Sequence, residues 1–495
     1  MKVKIALIAA FLCVSFISAN EAVGYKITDV KYDITGSTRE YALKLAVDVD
    51  KKTVFPTIEL MDAYIADLGV RLANIRIFEE TKVTATYGTP DTSGITPVSV
   101  TMKTIDTVNI IILPKPSFDS NTGFLMKLKL KNYNFLGSMR ELDADISYEY
   151  DENERQVFEG TFSFSIPFMA MGYEMVWDIT STLKIPVGED PEYKLSTGID
   201  VTYPLPFADM HFGIVQSLSI NARNSDNILY EDDRLFFTEK VYANLPIELY
   251  KHRYFGEVYW TPEVSISANW SPEGITANDL KGPDLVVSHS ISVGRVDWVQ
   301  NFRHGASVRI TNKYTHDFTL DSESYASISG TVQGYYSFFD RIGVASQAHA
   351  FYNFSDYVSE DVGNRLRGIL DKRVNTDTAI FFNLDIPVRV IRANFQEISG
   401  IDWTKFISFE MQFSPFFDMA LTHDLANGTT YSFKDGWYST GLEVIVYPLK
   451  MRSIYVRASV GFDLVELIEN GKLSGNAERD GNSVRELFIG LGLQY

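Results

Sequence analysis

Cysteine is almost missing from this chain. The single one, Cys13, lies in an apolar run from Ile5 to Ala19 that follows Lys2 and Lys4 and precedes the polar pair Asn20-Glu21. A charged start, an apolar centre and a small-residue exit make residues 1–19 a secretory signal peptide, with cleavage expected near Ala19. The mature chain then carries no cysteine, so an exported protein must be stabilised without disulfides. Long hydrophobic runs are missing too: beyond the leader, nothing approaches the ~20 apolar residues of a membrane helix. Positive charge is scarce, with a formal net charge of −19. That balance argues against a nucleic-acid partner, because such binding rests on cations that neutralise phosphate.

Catalytic signatures are equally thin. The seven histidines, His211, His252, His289, His304, His316, His349 and His423, never fall within helical or strand-pair spacing of one another. No local metal motif, nucleophile elbow or phosphate loop is present. The expectation is a non-enzymatic protein with no cofactor and no metal.

What the chain does have is alternation. From about Phe124 to Tyr495, apolar and polar residues trade places along segment after segment. In "FLMKLKLK", Phe124, Met126, Leu128 and Leu130 share one face, with Lys127, Lys129 and Lys131 opposite. In "KFISFEMQFSPFFDMA", Phe409, Met411, Phe413, Phe417 and Met419 face one way and Glu410, Gln412, Ser414, Phe416 and Asp418 the other. "RSIYVRASVGFDL" sets Val456, Ala458, Val460 and Phe462 against Arg457, Ser459 and Asp463. Turn-rich or charged stretches such as "YDENER" and "PVGEDPEY" separate these runs. A soluble β-sandwich or β-helix also alternates. Three features count against it: many strands exceed the usual 5–6 residues, aromatics gather at strand ends ("SIPFMAMGYEMVW", "HRYFGEVYW"), and the export signal precedes no disulfide framework. Outward-apolar, inward-polar strands of about ten residues mark a transmembrane antiparallel β-barrel. Eleven strands before residue 363 and five after it give sixteen, an even number as bacterial barrels have.

Residues 25–116 read differently. Tyr25–Thr35 and Glu40–Val49 look extended. "PTIELMDAYIADLGVRLANIRIF" has helical spacing, with Leu60, Tyr64, Leu68 and Leu72 on one face, Ile65 and Ile75 flanking, and Pro56 near its start. Extended runs "TKVTATYG" and "TVNIIILP" follow, and Pro114-Lys115-Pro116 closes the region. The expectation is a small α+β domain over 25–116, then an all-β barrel over 124–495.

One segment joins a cation to carboxylates. In "GNRLRGILDKRVNTDTAIFFNLDIPVRV", Ile380, Phe382, Leu384 and Ile386 alternate with Phe381, Asn383 and Asp385. The second face looks into the lumen, as does Asp418 on the next strand. A loop carrying Arg367 that folded back inside would find acidic partners, and an arginine–carboxylate pair is directional and can be bidentate. An arginine on an extracellular loop is the plainer reading of the same residues.

The order of these motifs resembles the BamA/TamA/FhaC superfamily of outer-membrane assembly and secretion proteins, related to bacterial surface antigens. Leu366-Arg367-Gly368-Ile369 is similar to that family's Val/Ile-Arg-Gly-aromatic loop, without the aromatic. Asn383-Leu384-Asp385 with Pro387 resembles its Asn-x-Glu strand, and Phe416-Phe417-Asp418-Met419-Ala420 its Phe-x-Asp-x-Gly. "NYNFLGSM", at Asn134, Phe135, Leu136 and Gly137, resembles its opening barrel strand, and Leu72–Phe78 its POTRA domain. Terminal "GLGLQY" resembles the β-signal, through Gly490, Leu493 and Tyr495.

The resemblance implies one periplasmic POTRA followed by a sixteen-stranded barrel in the outer membrane of a diderm bacterium. It implies that Arg367 pairs with Asp418 and pins the loop, with Gly368, Asn383, Asp385 and Phe416 in support. The implied partners are unfolded outer-membrane or secreted polypeptides, the lipid bilayer, and accessory lipoproteins or periplasmic chaperones. A seam between the strand at about 124–131 and that at 485–495 would open to insert or translocate a client, eased by Gly490 and Gly492. Two readings remain beside it: a passive channel or scaffold whose seam stays closed, and a transporter dedicated to one secreted partner.

Overall fold

The computed structural model describes residues 24–119, 123–150, 156–223, 228–252, 256–318, 324–354, 360–369, 373–424, 428–450, 455–470, 478–479, 482–483 and 485–491. The leader and the terminal Leu493 and Tyr495 lie outside them. Among the described residues, no helix is long and apolar enough to cross a membrane.

The N-terminal unit is a three-stranded sheet with two helices. Strand β1 (Gly24–Thr35) leads to helices α1 (Glu40–Ala46) and α2 (Ile58–Asn74), then to β2 (Phe78–Tyr87) and β3 (Ile95–Asp106). The spatial order is β1-β3-β2, with β1 parallel and β2 antiparallel to β3. Thr57 caps α2 by accepting from the Leu60 N–H. Its buried stripe is Met61, Ile65, Leu68 and Leu72, while Leu60 turns outward and is 46% exposed. Each such side chain, fully buried, contributes about 1.5–3 kcal/mol. These residues meet Ile27, Leu43, Phe78, Val98, Val100 and Met102 in one core.

Two segments depart from the sequence expectation here. Glu40–Ala46 is helical, because "EYALKLA" consists largely of strong helix formers and adds a Glu40–Lys44 ion pair one turn apart. The centre of the sheet is β3, which alternates Val98, Val100, Met102 and Thr104 inward.

Among the described residues after 109, twenty strands form one closed antiparallel barrel. In chain order these are β4 (Ile110–Asp119), β5 (Gly123–Asn132), β6 (Leu142–Tyr150), β7 (Gln156–Ala170), β8 (Tyr173–Pro186), β9 (Glu192–Pro204), β10 (Asp209–Ile220), β11 (Leu235–Asn244), β12 (Ile247–His252), β13 (Gly256–Trp270), β14 (Asp284–Val299), β15 (Phe302–Asp317), β16 (Tyr325–Phe338) and β17 (Ile342–Asn353). After the small pair β18 (Glu360–Asp361) and β19 (Asn375–Thr376), which lies outside the wall, come β20 (Thr378–Asp385), β21 (Val388–Ala393), β22 (Phe409–Thr422), β23 (Trp437–Pro448) and β24 (Val456–Asp463). A second small pair, β25 (Glu478–Arg479) and β26 (Asn482–Ser483), precedes the last wall strand, β27 (Arg485–Leu491). Because β11 with β12, and β20 with β21, each form one interrupted stave, the described residues make a wall of eighteen staves instead of sixteen.

Part of the difference comes from β4. "TVNIIILPKP" is not the end of the N-terminal domain but the first stave, and it lies between β5 and β27. Prolines looked like a domain terminus, yet a strand tolerates them where their nitrogens point away from the neighbour it is bonded to, as they do here from β5. The other correction is "NYNFLGSM". Asn134 to Gly137 form the tight turn from β5 to β6, with Leu136 at φ 53° and Gly137 at φ 72°. A Cβ on Gly137 would stand 2.0 Å from the Ser37 carbonyl, so only glycine fits against the N-terminal unit there.

The outer face is apolar, with Ile112, Leu128, Ile146, Ile214, Ile291, Ile310 and Val332 all exposed. Aromatics gather near both ends of the wall, as in the stacked pairs Tyr173–Tyr203 and Phe237–Trp270. Most turns at the end carrying the N-terminal unit are short, such as Met171-Gly172 between β7 and β8, although residues 394–408 make a longer one. Long connections, 354–377 among them, lie at the other end.

Candidate functional site

The segment joining β17 to β20 turns back into the barrel. Val362, Leu366, Ile369 and Val374 pack on Phe351, Ala379, Phe381 and Ala420 of the wall, a small apolar core inside the lumen. Once those residues anchor the segment, Arg367 is delivered to the inner faces of β20 and β22, where Asn383 pairs with Asp418 and Asp385 with Phe416 in register.

Arg367 is 5% exposed and its fork is fully used. Nη1 donates to Asp385 Oδ1 at 2.7 Å and Nη2 to Asp385 Oδ2 at 3.2 Å. Nε donates to Asp418 Oδ2 at 2.9 Å, and Nη2 to Asp418 Oδ1 at 2.7 Å. The Arg367 backbone N–H adds a third bond to Asp418, at 3.0 Å. The guanidinium carbon stands 3.8 Å from the Phe416 ring centre. Asn383 Nδ2 donates to the Arg365 carbonyl and fixes the chain just before the turn. The structure thus brings Arg367, Asn383, Asp385, Phe416 and Asp418 together, with Asp385 as full a partner as Asp418. A planar, always-charged fork between two buried carboxylates satisfies all three groups, which none could do alone in such a dry place.

Gly368 follows at φ +95°. A Cβ there would meet the Phe462 nitrogen at 2.4 Å and Gly461 Cα at 3.0 Å, so the loop backbone lies flush on β24. Its N–H donates to Glu486 Oε2 on β27 at 2.6 Å.

Several residues of this cluster escaped the sequence reading. Glu443 approaches Arg367 Nη1 at 3.6 Å and accepts from Arg457 Nη1 at 3.2 Å. Arg373 pairs with Asp463 at 3.1 Å. Glu443, Arg457 and Asp463 lie on inward positions of β23 and β24, so the alternation that exposed Asp418 marks them too, without a motif to single them out, and Arg373 comes from the loop itself.

The seam is formed by β4 and β27. Gly490 opposes Arg457 on β24. The Tyr133 N–H donates to the Asn109 carbonyl, which makes Asn109 and Tyr133 a hydrogen-bonded pair. Antiparallel pairs alternate between bonded and non-bonded. The bonded pairs of β4 with β5 are therefore Ile111 with Lys131, Leu113 with Lys129, and Lys115 with Lys127. The nitrogens of Ile110, Ile112, Pro114 and Pro116 face the other way, toward β27. Two successive donor positions on that edge are prolines, which have no N–H to give.

On the lumen side beside the seam, Lys127 pairs with Asp145 at 3.1 Å and Lys129 with Asp143 at 3.1 Å. Lys131 pairs with Glu141. The N-terminal unit docks across the short-turn end. Arg295 bonds both Asp67 and Asp297, Arg76 lies 4.1 Å over Trp298, and Lys450 pairs with Glu79. Between α2 and staves β13 to β16 is a cavity of about 950 Å³.

Fold and site together define a closed transmembrane barrel whose lumen holds an arginine-clamped loop and whose mouth carries an α+β unit. No family model matches the chain, and no curated protein matches it in sequence. Among solved structures it is similar to CdiB from Acinetobacter baumannii, at 13% identity and a TM-score of 0.49, covering 94% of this chain and 73% of that one. CdiB from Escherichia coli matches at 11% and 0.48, covering 94% and 76%. BamA from Haemophilus ducreyi lacking POTRA domains 1–3 matches at 12% and 0.38, covering 94% and 84%.

Proposed function

We propose that this chain is an outer-membrane polypeptide transporter or assembly factor that acts by opening its seam. The activity is not enzymatic. The N-terminal unit is a single POTRA domain in the periplasm, a reading supported by its strand–helix–helix–strand–strand order. The short turns at the same end of the barrel agree, because such barrels keep short turns on the periplasmic side.

The observation that carries this reading is the proline edge of β4. A membrane barrel ordinarily leaves no backbone group unpaired in lipid. Here one stave offers β27 an edge from which two N–H donors have been removed, so this junction has fewer backbone bonds to break. A client strand can pair with an opened edge by β-augmentation, keeping its own backbone bonded as it enters the bilayer. The clamped loop keeps the rest of the wall in register while the seam moves.

The test uses cysteine pairs placed along β4 and β27 in the full-length protein. Oxidation is expected to block client assembly, and reduction to restore it. Assembly that proceeds unchanged with a locked seam, together with steady single-channel conductance, would instead make the protein a passive channel. Depletion followed by outer-membrane proteomics separates a general assembly factor, with broad loss of barrel proteins, from a transporter serving one secreted partner.

A further inference from the structure

Glu486 has no counterpart in the motifs around Arg367, yet it lies where the lumenal loop touches the moving side of the seam. Its carboxylate accepts the Gly368 N–H at 2.6 Å. That contact is possible only because Gly368 and Gly461 are both glycine: a Cβ on Gly461 would stand 2.5 Å from the Gly368 nitrogen. The loop therefore reaches across β24 to the next stave. A second route runs parallel to it. Arg367 is 3.6 Å from Glu443, Glu443 accepts from Arg457, and the Arg457 guanidinium lies 4.2 Å over the Phe488 ring. Glu486 and Phe488 are the alternate inward positions of β27, so both routes end on the same stave.

The seam stave is consequently held on three sides by unequal means. On one edge it has a full ladder to β24. On the other it meets a strand short of two donors. From the lumen it receives a charge-assisted hydrogen bond and a cation–π contact, the stronger kinds of their classes. We propose that Glu486 is a positioning residue that ties β27 to the loop tip, so that the seam opens only when the Gly368–Glu486 bond is released. Any client that displaces the loop tip then unlocks the seam. This rests on the seam-opening reading above, and it adds the residue through which the loop controls that opening.

Backbone hydrogen exchange on the full-length protein in detergent micelles, with no client present, tests the tie. In Glu486→Ala, amides of 110–119 and 485–491 should exchange roughly tenfold faster or more, the size expected for losing one bond to a charged group. Those of 378–385 and 409–422 should not change. Glu486→Gln keeps an acceptor oxygen without the charge and should fall between the two, and it serves if the alanine variant does not fold. Seam exchange at the wild-type rate in both variants would overturn the proposal. Faster seam exchange with unaltered client assembly would leave the tie standing and remove the seam-opening function.

Discussion

Arg367 shows how much one side chain can settle. Its single positive charge is shared between two aspartates that are 7% and 0% exposed. Arg367→Ala therefore takes the shared cation away from two buried carboxylates, at a cost of about 3–5 kcal/mol. The expected result is a lower urea midpoint for barrel unfolding, followed by the mobility shift of the unheated barrel on gels. Arg367→Lys should recover only part, because a single ammonium cannot bond two carboxylates side-on and end-on at once. An unchanged midpoint in the alanine variant would mean the clamp contributes nothing. At this scale the sequence was informative wherever polarity broke an apolar rhythm. Asn383, Asp385 and Asp418 stood out because their neighbours at every second position are apolar. Glu443, Arg457 and Glu486 obey the same rhythm, but Glu443 and Glu486 also meet the distant loop at Arg367 and Gly368, and no local pattern says which inward charge meets which.

Elements were legible in proportion to their periodicity. Long staves such as β22 and the helix α2 follow their hydrophobic pattern, although the buried stripe of α2 is turned by one residue, from Leu60 to Met61. Short elements were not. Glu40–Ala46 has seven residues, too few to separate a helix from a strand by period, and β4 was masked by its prolines. Those prolines carry a prediction of their own. Replacing Pro114 and Pro116 together by alanine returns two N–H donors to the β27 edge. Each restored bond is worth about 1 kcal/mol, so exchange at 485–491 should slow by roughly tenfold or more and client assembly should slow with it. Assembly at the wild-type rate despite a tighter seam would show that opening does not limit the reaction.

The whole molecule is two bodies joined at a charged interface, and nothing in either half alone announces the joint. Asp67 on α2 faces Arg71 of its own helix, at 2.8 Å, and Arg295 of the barrel rim. Arg295 also binds Asp297 at 2.9 Å, Asn74 donates to the same Asp297 at 2.8 Å, and Lys251 pairs with Glu257 on the neighbouring strand at the cavity's edge. Burial alone would raise the Asp67 pKa, but the hydrogen bonds and charges of Arg295 and Arg71 outweigh it and hold the carboxyl below its usual range. A group lowered by docking contributes to docking while it is ionised. That contribution is complete above the free carboxyl value of about 4 and disappears as pH falls through the lowered value. The N-terminal unit should therefore stay seated at neutral pH and loosen in acid. Spin labels on α2 and on β14 would report a short, narrow distance at pH 7 that lengthens and broadens only as the pH falls below the ordinary carboxyl range. In Asp67→Asn the same distance should already be broad at pH 7 and change less on acidification. A narrow distance at neutral pH in that variant would place the hold elsewhere, on Arg76 over Trp298 or on Lys450 with Glu79, and charge reversal at Lys450 would then be the change that frees the unit.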